Sequence, residues 1–264
     1  MTTLLMFSGG IDSTAGLVYL LTKTSEDIHV HHIVIKEVLS KQPEQYFDVP
    51  SRPRDGHGES WRGCLDAVTK IIPYCRKNYR NFKFTSNLMD FADVQSKFMS
   101  NFPPRAWMCN YILNQYPNID TLIHTASATD NSPGFSTNEG IVGPRIKYSF
   151  WGDVETRKDY YDRQIFMEKM STFDIKRDIK ISSLFGALVP DEMNLDRKTM
   201  VKKYIPFELF KVTWSCNFPA PGPIECGRCS SCIHKIETGI EAYGESSIKL
   251  SIIPKMGYQH SPIV

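Results

Sequence analysis

At 264 residues, with 41% hydrophobic and 23% charged side chains, the chain is long enough to bury a substantial core and has an ordinary globular composition. A formal net charge of +2 leaves no bulk electrostatic case for nucleic-acid or membrane binding. No run reaches about 18 apolar residues and no basic segment precedes the first apolar run, so neither a membrane span nor a secretory leader is expected, and the chain reads as cytoplasmic.

In chain order, an apolar run of strand length at 3–7 is followed by the turn Ser-Gly-Gly-Ile-Asp-Ser at 8–13 and an apolar helix over 13–22. A second strand falls at 29–35 (HVHHIVI), then an irregular Pro- and Gly-rich stretch at 40–60 and a helix over 61–77. A weaker strand at 82–88, helices over 91–101 and 106–115, a strand at 120–126 and an irregular stretch at 127–145 follow. Strands alternating with helices predict an α/β fold, an open doubly wound parallel sheet. Beyond about 150 the pattern turns helical and basic, which divides the chain into an α/β domain at 1–150 and a C-terminal helical region at 151–264.

The turn at 8–13 interrupts what is otherwise buried strand and buried helix. Two adjacent glycines let backbone N–H groups turn toward a closely approaching anion, Ser8 and Ser13 add hydroxyls, and the positive end of the following helix points at the same place. The motif lacks the lysine of the GxxxxGK(S/T) phosphate loop and the spacing of the dinucleotide GxGxxG loop. It suits a pyrophosphate leaving group, with Asp12 to recruit Mg²⁺.

Seven cysteines stand at 64, 75, 109, 216, 226, 229 and 232; an odd count without a leader argues against a disulfide framework. Cys216, Cys226, Cys229 and Cys232 are spaced C-x9-C-x2-C-x2-C. Two-residue spacing lets thiolates converge on one ion from a tight turn, for which Gly227 supplies the backbone freedom. Four thiolates and no open position suit structural Zn²⁺; a [4Fe–4S] cluster takes the same four cysteines, though the proline that ends ferredoxin runs is missing. Cys64, Cys75 and Cys109 read as small buried apolar residues. His29, His31 and His32 read as packed or surface side chains, the basic stretch 157–180 as a solvated face, and Trp61, Trp107 and Trp151 as core or lid residues.

SGGIDS resembles the SGGxDS signature of the PP-loop ATP pyrophosphatases, which adenylate a substrate oxygen and release pyrophosphate. The resemblance implies a Rossmann-like sheet, with ATP held by Phe7, Ser8, Gly9, Gly10, Ile11, Asp12, Ser13 and Thr14 and its adenine near Ile33, Val34 and Ile35. With T-W-S-C at 213–216 and C-G-R-C-S-S-C at 226–232, the chain further resembles the 7-cyano-7-deazaguanine synthases. That resemblance implies ligation of ammonia to 7-carboxy-7-deazaguanine in two rounds of adenylation, with ATP, Mg²⁺ and Zn²⁺ as cofactors. By motif position it casts Arg105 and Lys198 in charge compensation beside Asp12, and Asp130, Asn131, Ser132, Pro133 and Gly134 as contacts to the acceptor. It is compatible with a homodimer. The chain departs from the family after Asp130, where Asn131-Ser132-Pro133-Gly134-Phe135 replaces the usual Ser-Gly-Tyr-Pro-Asp, and at His234-Lys235, where an arginine is common. An adenylating enzyme acting on another carboxylate or on a macromolecule therefore stays open. A tRNA-thiolating enzyme of the superfamily, or a non-catalytic nucleotide-binding module, fits the near-neutral charge and intact Asp12 less well.

Overall fold

The computed structural model describes residues 2–36, 60–90, 102–125, 175–183, 197–216, 224–227, 230–245 and 248. Strands β1 (Thr2–Met6), β2 (Asp27–Lys36), β3 (Lys83–Asp90), β4 (Ile119–His124) and β5 (Lys180–Ser183) form one sheet in the order β3-β2-β1-β4-β5. Every neighbouring pair is parallel. Between and after the strands come α1 (Ile11–Lys23), α2 (Ser60–Asn78), α3 (Phe102–Gln115), α4 (Arg197–Tyr204), α5 (Phe207–Val212) and α6 (Ser230–Tyr243).

β1 occupies the centre, and its Thr3, Leu4 and Leu5 are all buried. A strand covered on both faces needs such a continuous run rather than alternation. Leu5 and Phe7 face a cluster built by Leu17, Val18, Leu20 and Leu21 of α1 and Ala67, Val68 and Ile71 of α2. Leu4 faces the opposite cluster, with Met108, Cys109, Ile112 and Leu113 of α3. Helices thus cover both faces, and the strand order reverses direction between β1 and β4. This is the open doubly wound α/β fold expected from the sequence. Ligands of such sheets bind beyond the carboxyl ends of the strands at that switch point.

The C-terminal helices extend the α1/α2 layer. Met200 and Val201 of α4, Leu209 and Phe210 of α5, and Cys232 of α6 belong to the same buried cluster as α1 and α2. Nine of the 13 residues of α1 are accordingly buried, more than in a one-sided surface helix.

Two local expectations are corrected. α1 begins at Ile11 rather than Ser13, because Gly10 already serves as its N-cap. A fifth strand, β5, lies at the end of the stretch read as helical and basic. Within that stretch Arg177 is no solvated charge: its guanidinium donates to the carbonyls of Leu113 (2.6 Å), Tyr116 and Ile119, sealing the end of α3 against the start of β4. Arg80 does the same for α1, donating to the carbonyls of Leu20, Leu21 and Thr24. The helix expected at 91–101, the irregular stretch 40–60 except for Ser60, which begins α2, the irregular stretch 127–145 and the boundary near 150 lie outside the described residues.

Candidate functional site

The turn after β1 holds itself in shape. The Gly10 N–H donates to Ser8 Oγ (3.2 Å), Ser8 Oγ and Ser13 Oγ are 3.0 Å apart, and Ser13 Oγ donates to the Gly10 carbonyl (3.2 Å). The Ser8 N–H also donates to Ser13 Oγ, and the Thr14 hydroxyl reaches the Gly10 carbonyl at 2.7 Å. The first backbone hydrogen bond of α1 runs from Thr14 N to Gly10 O, and no side chain caps the helix. The N–H groups of Ile11, Asp12 and Ser13 are therefore the donors that an α-helix leaves at its positive end. Asp12, half-buried, brings a carboxylate into that first turn.

Gly9 shows why the motif needs glycine. Its φ of +80° lies in the left-handed region, and a Cβ there would stand 3.1 Å from the Cys64 carbonyl oxygen and 3.1 Å from Val68 Cγ2. The loop rests directly on α2. From the other side, the Trp214 N–H donates to the Gly9 carbonyl at 2.9 Å.

β2 passes the end of β1. Its last pairing with β1 is His31 to Met6, whereas pairing with β3 continues to Lys36. Ile33, Val34 and Ile35 lie on this overhang, with Val34 buried and the other two half-buried. Phe7, one residue beyond β1, is buried and fastened at both ends: its N–H donates to the His31 carbonyl (2.7 Å) and its carbonyl lies 2.7 Å from His32 Nδ1. His32 Nδ1 must carry the proton to make that bond.

The three histidines are packed. Thr85 Oγ1 joins His29 Nε2 (2.7 Å) to His31 Nδ1 (2.8 Å), and Tyr116 stacks edge-on against His29. Burial pulls the pKa of His29 and His31 down to about 4, with Lys83 assisting at His29 and the neighbouring histidines at His31. Burial also lowers His32, opposed by its bond to the Phe7 carbonyl. Both His29 and His31 are thus neutral when folded near pH 6, while the unfolded chain protonates its histidines below about 6.5. The unfolded state binds more protons between those values, so stability should be constant above about pH 6.5 and fall as pH drops toward 4. Urea unfolding across that range checks this; flat stability from pH 6.5 to 4 would rule it out.

Of the four C-terminal cysteines, Cys216, Cys226 and Cys232 come together, with their Sγ atoms all within 4.8 Å of one another. Cys226 Sγ and Cys232 Sγ are 3.9 Å apart, and the Cys226 N–H donates to Cys216 Sγ at 3.3 Å. Thiolates around one tetrahedral ion with bonds of about 2.3 Å stand about 3.8 Å apart, so this triad fits a single metal ion. Gly227 takes φ +69° in the turn between the ligands. Cys229 lies outside the described residues. Cys75 and Cys109 are buried as expected, and burial pushes the Cys75 thiol up to about 12; Cys64 is half-buried.

A buried ion pair braces the cysteine knuckle. Lys235 is 0% exposed, its Nζ lies 2.7 Å from Glu225 Oε2, and it also donates to the Thr213 carbonyl. Glu225 Oε1 accepts from the Ser215 N–H at 2.8 Å. Sequence reading singled out neither residue for this role, since lysine is ordinarily a surface residue; the only signal was the departure at 234–235.

Of the other expected site residues, Lys198 is the one whose side chain is described. Lys198, on α4, is exposed and ion-paired to Glu241 at 3.3 Å. Arg105 stands on the first turn of α3, at the helix end nearer the carboxyl edge of the sheet, and its side chain is outside the described residues. Asp130 to Gly134 lie outside them too, as does Trp151. Trp107 is 58% exposed, so it is not a core residue, whereas Trp61 is half-buried with the Arg62 guanidinium over its ring. Among the described residues no helix is long and apolar enough to cross a membrane.

The fold and this loop define a parallel α/β protein with a self-bonded glycine turn between β1 and the N-terminus of α1. No protein-family model matches the chain, and no curated protein matches it. Among solved structures it is similar to the U34-tRNA thiolase NcsA from Methanococcus maripaludis with its [4Fe–4S] cluster, at 12% sequence identity and a TM-score of 0.38. The similarity covers 92% of this chain and 67% of that one.

Proposed function

We propose that the chain is a PP-loop ATP pyrophosphatase that adenylates a carboxylate and releases pyrophosphate. The observation that carries this reading is the self-bonded Ser8–Ser13 loop, with three first-turn N–H groups, an acid in place of a lysine, and Gly9 in a conformation that brings the backbone close. Such a loop holds a leaving group by many short donors rather than by one cation. Mg²⁺, held at Asp12, would supply neutralising charge to the phosphates. Ile33, Val34 and Ile35, on the overhang of β2, would meet the adenine.

A carboxylate resists attack because it is anionic and oxide is a poor leaving group. Transfer of AMP to one carboxylate oxygen, with loss of pyrophosphate, gives an acyl adenylate. Ammonia then displaces AMP to give an amide, and a second ATP activates the amide oxygen so that departure of AMP leaves a nitrile. With 7-carboxy-7-deazaguanine as acceptor the product is 7-cyano-7-deazaguanine. The supporting motifs are the loop, T-W-S-C and the cysteine knuckle together. Arg105 would add charge compensation, and Lys198 would do so on exchanging Glu241 for a phosphate. The segment Asp130 to Gly134 would contact the acceptor. Its departure from the family favours a second reading in which the same adenylation serves a different carboxylate. In both readings the C-terminal metal is a structural Zn²⁺ held by Cys216, Cys226, Cys229 and Cys232, since each thiolate of a [4Fe–4S] cluster binds a different iron and needs wider spacing.

Incubation of the full chain with ATP, Mg²⁺, ammonia and 7-carboxy-7-deazaguanine, followed by mass spectrometry, tests this. AMP, pyrophosphate and the nitrile are expected. AMP and pyrophosphate without the nitrile would move the acceptor elsewhere, and ADP with phosphate would sink the adenylating reading altogether. Asp12→Asn should lower turnover about a hundredfold while leaving the thermal midpoint within a few degrees; wild-type turnover in that variant removes Asp12 from the chemistry.

A further inference from the structure

Gly9 and Cys216 are far apart in sequence, yet one residue touches the loop of the first and the backbone of the second. The Trp214 N–H donates to the Gly9 carbonyl at 2.9 Å. Its indole Nε1–H donates to the Cys216 carbonyl at 2.9 Å and lies 3.4 Å from Ser60 Oγ, which itself donates to the same carbonyl at 3.0 Å. The ring lies flat on Gly63 of α2, so closely that a Cβ there would fall 2.2 Å from it. Trp214 is 8% exposed and therefore has little room to reorient.

The Gly9 carbonyl matters because a peptide is a rigid trans plane. Pinning the C=O of residue 9 toward Trp214 aims the N–H of residue 10 the opposite way. Two successive glycines put little steric resistance in the way of a flip of that plane. The Gly10 N–H donates to Ser8 Oγ at 3.2 Å, and a flipped plane would turn a carbonyl oxygen toward the hydroxyls that shape the loop. Ser8 thus holds the N–H edge of this plane and Trp214 the carbonyl edge.

We propose that Trp214 is a positioning residue that transmits the state of the cysteine centre to the phosphate loop. Metal at Cys216, Cys226 and Cys232 fixes the Cys216 backbone, the indole fixes Trp214 against it, and Trp214 holds the Gly9–Gly10 peptide in the orientation that the Ser8 and Ser13 hydroxyls complete at the mouth of α1. Metal binding and nucleotide binding then favour each other. This rests on the nucleotide-binding reading given above.

Coupling between two sites is reciprocal, and a side chain that merely fills the core would not produce it. The test uses the zinc-loaded full chain and α,β-methylene-ATP with Mg²⁺ as the uncleavable probe. Zinc transfer to a chromophoric chelator is timed with and without the probe, and probe affinity is measured by calorimetry. In the wild type the probe should slow zinc loss at least about five-fold. Trp214→Phe keeps most of the ring volume but lacks the Nε1–H donor; it should retain one zinc, bind the probe about five-fold more weakly, and lose most of the slowing. Ser60→Ala, which deletes one hydroxyl from the same contact, should weaken the slowing and serves if Trp214→Phe does not fold. Probe binding with zinc loss unchanged overturns the coupling alone. Full slowing in both variants overturns the role of Trp214. A wild type that does not bind the probe overturns the nucleotide-binding reading and this proposal with it.

Discussion

Lys235→Met is expected to destabilise the protein by about 3–5 kcal/mol, the usual consequence of removing one partner from a buried ion pair. Lys235 is fully buried, and its ammonium satisfies both Glu225 Oε2 and the Thr213 carbonyl. Without it the Glu225 carboxylate, whose side chain is 13% exposed, retains among the described residues only the Ser215 N–H. The Thr213 carbonyl loses that donor too. A domain's total stability is about 5–15 kcal/mol, so a loss of this size takes a large share of it. Urea unfolding with fitted midpoints and slopes is the measurement. The double variant Lys235→Met/Glu225→Gln should recover part of the loss, because it no longer buries an unpaired charge. A cost below about 1 kcal/mol would show that water reaches this pair freely.

Gly9→Ala should weaken nucleotide binding at least about tenfold. An L residue at φ +80° costs about 1–2 kcal/mol, and its methyl would press on the backbone carbonyl of Cys64 and on Val68. α2 cannot yield without disturbing Ala67 and Ile71 in the core, so the loop shifts instead. Gly244 separates the two causes. It too has φ +80°, but nothing lies within 4 Å of the Cβ it would gain. Gly244→Ala should therefore cost about 1 kcal/mol of stability and leave nucleotide affinity unchanged. Equal affinities for the Gly9→Ala variant and the parent would show that the loop adapts, against the account given above.

The sequence made β1, the glycine turn and α1 legible to within two residues, because an apolar strand, a breaker pair and an apolar helix differ in period and composition. The cysteine turn was readable for a similar reason: ligand spacing and Gly227 are local. What stayed hidden was either weakly patterned or non-local. β5 is Lys-Ile-Ser-Ser, with one apolar residue, and it is a strand because β4 offers it an edge. Arg177 lay in a stretch read as a solvated face and Lys235 stood out only as a departure from the family, because burial of a cation depends on partners that no periodicity announces. Trp214 drew attention only as part of T-W-S-C; that it meets Gly9 is a property of the packed chain. The histidines, read as packed or surface side chains, are packed, and Thr85 between them could not be seen from their own strand.

The hydrogen bond from Trp214 to Gly9 spans 205 positions (214 minus 9) and fixes when, during synthesis, the protein can first work. A ribosome adding about 5–20 residues per second needs roughly 10–40 s to travel from one partner to the other. Through that interval an emerging chain can assemble β1, β2 and α1, whose contacts are near in sequence, while the Gly9–Gly10 peptide still lacks its tether. On the nucleotide-binding reading proposed above, nucleotide would find no finished seat on a nascent chain, and contacts of such range slow the last stage of folding. The turn after the central strand is completed by a residue made 205 positions later.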